Sequence, residues 1–487
     1  MRRLSLIVSL LAGAALLATG PGGAEMRIRL KSGKVLSLPV EAGEIESITF
    51  GEGKGGGPGR RPGAKRAGKP APARAPARPS ATIGARPTSG VLRVGPARRY
   101  KLPSEAAKVA KDGAVIEIDV GDYVDSAVWR RNRLTLRGVG GRPRITAPAV
   151  IPNRKAIWVI KGDDVRIENV ELTGARVPDR NGAGIRHEGG RLTVSGSYIH
   201  HNENGILTSG NPKAELVVER SEIAFNTTED QSGGNVHNIY VGRIRAFTLR
   251  YSYVHHATEG HNVKSRARTN RILYNRIMDE ADGASSYVVE IVHGGTAYII
   301  GNLLQQGPQA ENWTMLSYGS GGLRYPERAL YVVNNTFVNE RGSGIFIRTS
   351  AKAPAQVINN IFFGRAKTLV QGPASLRGNL AVIRPGAKAA ELKKMAKAWL
   401  RSVMGRGENR KAESPGARVV GDIGFANRAA YDYRLTGRSP AIDAGVDPGR
   451  AGDVSLAPVS EYAHPADGAA RPSVGPLDVG AYEYAPR

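Results

Sequence analysis

The chain has 487 residues, with 69 Lys and Arg against 43 Asp and Glu, 61 Gly, 29 Pro and no Cys. Without cysteine there is no disulfide scaffold, thiolate-ligated metal or thiol catalysis, and 41% hydrophobic residues exclude a wholly disordered chain. The formal net charge of +26 implies an anionic partner but does not decide the fold.

Residues 1–24 carry the pattern of a secretory signal peptide: Arg2 and Arg3, an apolar run from Leu4 to Ala18, and small Gly22 and Ala24 at a cleavage position. The run is too short for a membrane span. The expected location is therefore secreted, periplasmic or at the cell envelope, which removes nucleic acid as a partner and favours an acidic polysaccharide. Residues 25–50 alternate apolar and polar side chains around Ser32-Gly33, which predicts a small two- or three-stranded β segment. Residues 51–90 hold nine Lys and Arg against Glu52 alone in a Pro-, Gly- and Ala-rich context. That is the composition of a flexible linker, and its charge offers attachment to an envelope surface.

Past residue 91, Ser104 is placed to cap a short helix over residues 105–111, stopped by Asp112-Gly113. From there an Asn or Ser recurs behind a β-branched or aromatic run, at Asn169, Ser197, Ser221, Ser252, Asn275, Asn302, Asn335 and Asn360. Self-similarity at 23 to 33 residues marks a solenoid. A second column sets Ile206, Ile239, Val263, Ile291, Met315 and Ile345 in register as inward residues, and strict alternation turns their neighbours outward. The reading is an all-β coil of short parallel strands over residues 91–385.

In this repeat the chain resembles the right-handed, single-stranded parallel β-helices of the pectate-lyase-like group, and the 105–111 helix is similar to that group's N-terminal cap. In such coils the stacked asparagines hydrogen-bond from turn to turn. Residues 386–410 contain an amphipathic helix, with Leu392, Met395, Trp399 and Val403 on one face, expected to cover the C-terminal end. Residues 411–487 include Tyr431-Asp432-Tyr433, Ser439-Pro440-Ala441-Ile442-Asp443 and Asp478-Val479-Gly480-Ala481-Tyr482-Glu483, which resemble the closing segment of secreted bacterial β-helix proteins. Such a molecule is expected to be a monomer.

The alternation sets Asn238 with Tyr240, Asn262 with Lys264, and Glu290 with Val292 on one outward surface, with coils about 4.8 Å apart. Arg266 faces the same side. Four of the nine histidines lie between residues 237 and 261, and His293 follows, so titratable groups concentrate here. The Lys264-Ser265 string, with Asn270 and Asn275 behind it, resembles the Lys-Ser segment of polysaccharide lyase family six, the alginate lyases and chondroitinase B. That resemblance implies calcium-assisted β-elimination, with Lys264 taking the C5 proton of a uronate and Glu259 holding calcium.

The chemistry completes the set. Glu290 offers a second oxygen ligand for calcium, Arg266 and His293 join Lys264 as catalytic groups, and Asn238, Tyr240, Asn262 and His261 line the bound glycan. The chain departs from the family pattern at Ala257, where a second glutamate is usual. It has Val292-His293-Gly294 in place of Arg-His-Gly, and Ser232-Gly233-Gly234-Asn235 in place of Asn-Gly-Gly-Glu. A uronate epimerase would use the same base. A non-catalytic glycan-binding or envelope-associated solenoid fits the missing arginine and the incomplete calcium set.

Overall fold

The computed structural model describes residues 16–17, 25–29, 35–39, 90–227, 236–382 and 416–486. The chain divides into Met1–Ala75 and Pro76–Arg487. In the first unit Glu25–Arg29 pairs antiparallel with Val35–Pro39 across Ser32-Gly33, and Leu16–Leu17 pairs with Glu25–Arg29. The linker up to residue 89 and the helix expected within residues 386–410 lie outside the described residues.

The second unit is an all-β solenoid of three parallel sheets. The first has twelve strands, from Val91–Val94 to Ala374–Arg377. The second has ten, from Ala127–Trp129 to Thr368–Gln371. The third has twelve, from Asp122–Val124 to Ala417–Val419. Each strand hydrogen-bonds to the strands one coil before and after it, so backbone polarity is satisfied along the axis. β-Branched and aromatic residues fill the interior in rows: Ile116, Leu136, Ile167 and Val194 from the first sheet; Trp158, Ile185, Ile206 and Ile239 from the second; Leu172, Ile199, Ile223 and Val254 from the third.

The Ser/Asn column is a continuous ladder between the first and third sheets. Ser197 N donates to Ser221 Oγ, Ser221 N to Ser252 Oγ, and Ser252 N to Asn275 Oδ1 at 3.0 Å. From Asn275 to Asn302, Asn335 and Asn360, both the backbone N and the side-chain Nδ2 donate to the next Oδ1 at 2.9–3.0 Å. Asn379 extends the ladder by one coil. Asn169 stands one residue early. Val170 holds the ladder position, accepting no rung but donating its N to Ser197 Oγ, while Asn169 takes the preceding left-handed turn position (φ 55°) shared with Gly301 and Asn359. Asn and Gly tolerate that conformation, which is why both types recur there.

Strict alternation fails in the second sheet. Its strands pair at positions one, three, four and five but skip the second position, as in His237↔His261, Ile239↔Val263, Tyr240↔Lys264 and Val241↔Ser265. Second-position residues Ile157, Val288, Met315, Phe346 and Leu369 all lie in the core, beside third-position residues. Positions one and four therefore form the outer face, and two, three and five face in. The inward column through Ile206, Ile239 and Val263 continues at Val289, Leu316 and Ile347. Ile291, Met315 and Ile345, set in register by the sequence pattern, belong to the fifth, second and first positions.

A helix forms at Pro103–Val109, two residues earlier than expected. Pro103 presets the first helical φ, and Glu105 reaches back to the Lys101 backbone N at 2.6 Å. Ser104 does not cap it: its N donates to Asp125 Oδ2 instead. Ala106 packs into the core. At the other end, Ala417–Val419 pairs with Asn379–Val382, so the third sheet resumes after residues 383–415. The closing segment then folds back. Ile423, Tyr433, Tyr462, Val479 and Ala481 pack on Tyr253, Met278, Leu303, Val338 and Ile361 of the third sheet. Buried Arg471 organises its last turn, donating to Glu483 Oε2 at 2.9 Å and to the carbonyls of Asp478 and Ala481. Among the described residues no helix is long and apolar enough to cross a membrane.

Candidate active site

The outer face of the second sheet carries the titratable groups. In the fourth position Tyr240, Lys264, Glu290, Ser317 and Arg348 stand in register on successive coils. In the first position His237, His261 and Tyr287 do the same. The His237 and Tyr240 rings stack at 5.3 Å, His237 meets His261 edge-on at 4.8 Å, and His261 stacks on Tyr287 at 5.1 Å. The guanidinium of Arg266 lies 5.0 Å over the Tyr240 ring.

Glu290 is the hub. Its Oε1 accepts from Ser320 Oγ at 2.7 Å. Its Oε2 lies 2.8 Å from His261 Nε2, close but out of line for a full hydrogen bond, and 3.7 Å from Lys264 Nζ. Burial opposes ionisation of Glu290, but His261, Ser320 and Lys264 together bring its carboxyl down to about 2. Burial pushes His261 and, more strongly, His237 below the usual imidazole range, and the positive charge of Lys264 adds to both. At neutral pH the hub is thus a carboxylate beside neutral imidazoles and one ammonium. Lys264 keeps 16% of its side-chain surface, enough to meet a ligand from the groove.

The turns after the second-sheet strands supply a cationic wall. His293 is pushed down by burial and by Arg266, Arg324 and Arg243. None of these three guanidiniums has a carboxylate within ion-pair distance among the described residues, whereas neighbouring Arg245 and Arg268 are paired with Glu215 and Glu327. Residues 319–327 close over this wall. Tyr325 Oη donates to the Arg266 carbonyl at 2.6 Å, Arg324 N donates to the His293 carbonyl at 2.9 Å, and Leu323 packs on the core.

Lys264, Arg266, His293, Tyr240, His261 and Glu290 are therefore brought to one groove. Asn238 and Asn262 are not. Both are fully buried at the skipped second position, in an internal amide chain. Asn226 Nδ2 donates to Asn238 Oδ1, Asn238 Nδ2 to Asn262 Oδ1, and Asn262 Nδ2 to Asp279 Oδ1, each at 2.8 Å. They have no side-chain atoms left for a glycan.

The calcium ligands do not assemble either. The Glu259 carboxylate accepts from Thr227 Oγ1, and both Glu290 oxygens are engaged, one of them beside the ammonium of Lys264. Among the described residues no group of three or more His, Asp or Glu is arranged to hold a metal ion. A dication prefers several free oxygen ligands, so these residues do not fit calcium at Glu290. Ser232-Gly233-Gly234-Asn235 lies outside the described residues. Sequence reasoning missed Arg243, Ser320, Arg324 and Tyr325, which lie in turns with no repeat to mark them.

The family described as "Right handed beta helix region" matches residues 140–304. The crystal structure of pectate lyase Pel9A superposes with a TM-score of 0.50 at 14% identity, covering 82% of this chain and 97% of that one. The crystal structure of the pectin methylesterase from Aspergillus niger gives 0.27 at 14% identity, over 63% and 85%. No curated protein matches the chain. The chain has a right-handed parallel β-helix fold of the pectate-lyase-like kind.

Proposed function

We propose that the protein is exported and acts on an acidic polysaccharide by β-elimination at a uronate. The observation that carries this is the cationic wall: Arg243 and Arg266 lie just past the strands of Tyr240 and Lys264, the Arg324 N is bonded to the His293 carbonyl, and none of the three guanidiniums has a carboxylate partner among the described residues. A uronate carboxylate held by these guanidiniums has its charge neutralised, which acidifies the C5 proton; bidentate guanidinium–carboxylate pairing suits that task.

Lys264 is the base. Its ammonium stands 3.7 Å from Glu290 Oε2; it first gives a proton to water, and the free amine then takes the C5 proton. The C5–H electron pair becomes the C4–C5 double bond, and the C4–O bond breaks with its electrons on the glycosidic oxygen. The phenol of Tyr240, in register with Lys264 one coil away, gives that oxygen a proton. His293, held neutral, orients the sugar by hydrogen bonding. No step runs through calcium. An epimerase would share the proton abstraction and return a proton to C5 without breaking C4–O.

The test is incubation with alginate, polygalacturonate and dermatan sulfate, following the ultraviolet absorbance of unsaturated uronate ends. Product from the wild type that disappears in Lys264→Ala supports the reading. The salt-bridged state of Lys264 favours a second one, a glycan-binding solenoid without turnover. Retained polymer binding with no product from any of these substrates would establish it.

A further inference from the structure

Trp313 is the only tryptophan or phenylalanine exposed among the described residues, at 47%. It sits one residue before Thr314, which opens the second-sheet strand two coils beyond Lys264, about 10 Å along the axis at the usual strand spacing. Its backbone is fixed on both sides: its N is bonded to Asn312 Oδ1 at 2.7 Å, and its carbonyl accepts from Ile345 N at 2.7 Å. Lys367 Nζ lies 4.3 Å from the indole centroid and the Arg341 guanidinium 5.4 Å. Gly344 stands between Trp313 and Lys367 along this edge, and a Cβ there would come within 2.9 Å of the Trp313 carbonyl. Neither Arg341 nor Lys367 has a carboxylate within ion-pair distance among the described residues.

A half-exposed indole with two cations at its rim, neither paired with a carboxylate, offers a stacking face and a carboxylate site side by side. We propose that Trp313, Arg341 and Lys367 form a distal subsite for the same polysaccharide chain, holding a uronate residue several sugars from Lys264. The apolar C–H face of the pyranose lies on the indole, and its carboxylate meets Lys367 and Arg341. The subsite rests on the acidic-polysaccharide reading and deepens it: the ligand runs along the second sheet toward the C-terminal coils, and affinity grows with chain length.

The test is binding by titration calorimetry with alginate and polygalacturonate oligosaccharides from disaccharide to octasaccharide, and neutral cello-oligosaccharides as controls. Trp313 is exposed, so Trp313→Ala should keep the wild-type melting temperature, which is checked first. The expected result is a loss of about ten-fold in octasaccharide affinity, the scale of one stacking contact with its cations, with disaccharide affinity unchanged. Trp313→Phe recovers most of the loss, and Arg341→Ala with Lys367→Ala flattens the salt dependence of octasaccharide binding. Equal octasaccharide affinity in wild type and Trp313→Ala, an equal loss with the disaccharide, or no binding of any uronate oligosaccharide by the wild type overturns the subsite. Trp313-dependent binding without any elimination product would overturn the lyase and leave the subsite standing. Product formation without the length dependence would do the reverse.

Discussion

Replacing Glu290 by Gln keeps the shape of the hub and removes its charge. The carboxyl is brought from its ordinary 4.5 to about 2, and a shift of about 2.5 units corresponds to about 3 kcal/mol of folding free energy. A depressed carboxyl contributes stability that is present above its unfolded value and is lost as the pH falls toward its folded one, because the unfolded chain takes up the proton first. By pH 3 about 2 kcal/mol of this contribution is gone. Part of the shift comes from protonated His261, whose own titration is pushed down by burial, so at pH 7 that part is absent. The Gln variant should therefore be less stable than the wild type by about 3 kcal/mol near pH 5, by less at pH 7, and by about 1 kcal/mol at pH 3. Urea midpoints of the two proteins at matched ionic strength measure the gap. A gap independent of pH would refute the reasoning and leave Glu290 a packing residue whose charge is immaterial.

Asn302→Ala removes five side-chain hydrogen bonds at a fully buried site: two accepted from Asn275 and one each donated to Asn335 and to the Ile272 and Ile300 carbonyls. It should cost about 3–5 kcal/mol in urea unfolding, since the stranded partners stay buried; a cost under about 1 kcal/mol would show the coil relaxing around the gap. Asp279, buried at the end of the second amide chain, is pushed up to about 6 by burial, against its hydrogen bonds from Ser285, Gly307 and Asn262. Its contribution is present below pH 3.8 and lost as the pH rises through 6, about 3 kcal/mol in all. Asp279→Asn should abolish the decline in stability between pH 4 and 6, whatever its constant offset, and a variant with the same decline would place the titration elsewhere. Treatment with EDTA should leave glycan binding and elimination unchanged; a loss restored by added calcium would sink the calcium-free reading of the groove.

The repeat itself was legible in the sequence. Periodic β-branched runs ending in Ser or Asn identify the coil without any coordinates, and the resemblance to parallel β-helices implied that its asparagines stack from turn to turn. Tyr240 and Lys264 followed from the same register, whereas Glu290 was set level with Asn262, and only the observed pairing of Lys264 with Glu290 puts all three in one column. Asn238 and Asn262 were misplaced for a physical reason. A period of two assumes an unbroken pleat, and the skipped second position of each second-sheet strand turns those amides inward, where only another amide, or Asp279, can receive them. Ser104 lost its capping place for a similarly local reason: Pro103 starts the helix, so Leu102 holds the cap position and Ser104 falls inside the first turn.

What tertiary structure alone decided is everything supplied by turns. Arg243, Arg324, Ser320 and Tyr325 reach the groove from connections of unequal length, whose paths depend on what they pack against. The state of Glu290 depends on three partners from the two coils that flank it. The sequence by itself determined a stack of parallel-stranded coils and the stretch that bears the charged groups, since both follow from periodicity; the right hand came with the family resemblance. Which of those groups meet, and with what charge, depends on distances of a few ångströms between coils, and these exist only once the chain is wound.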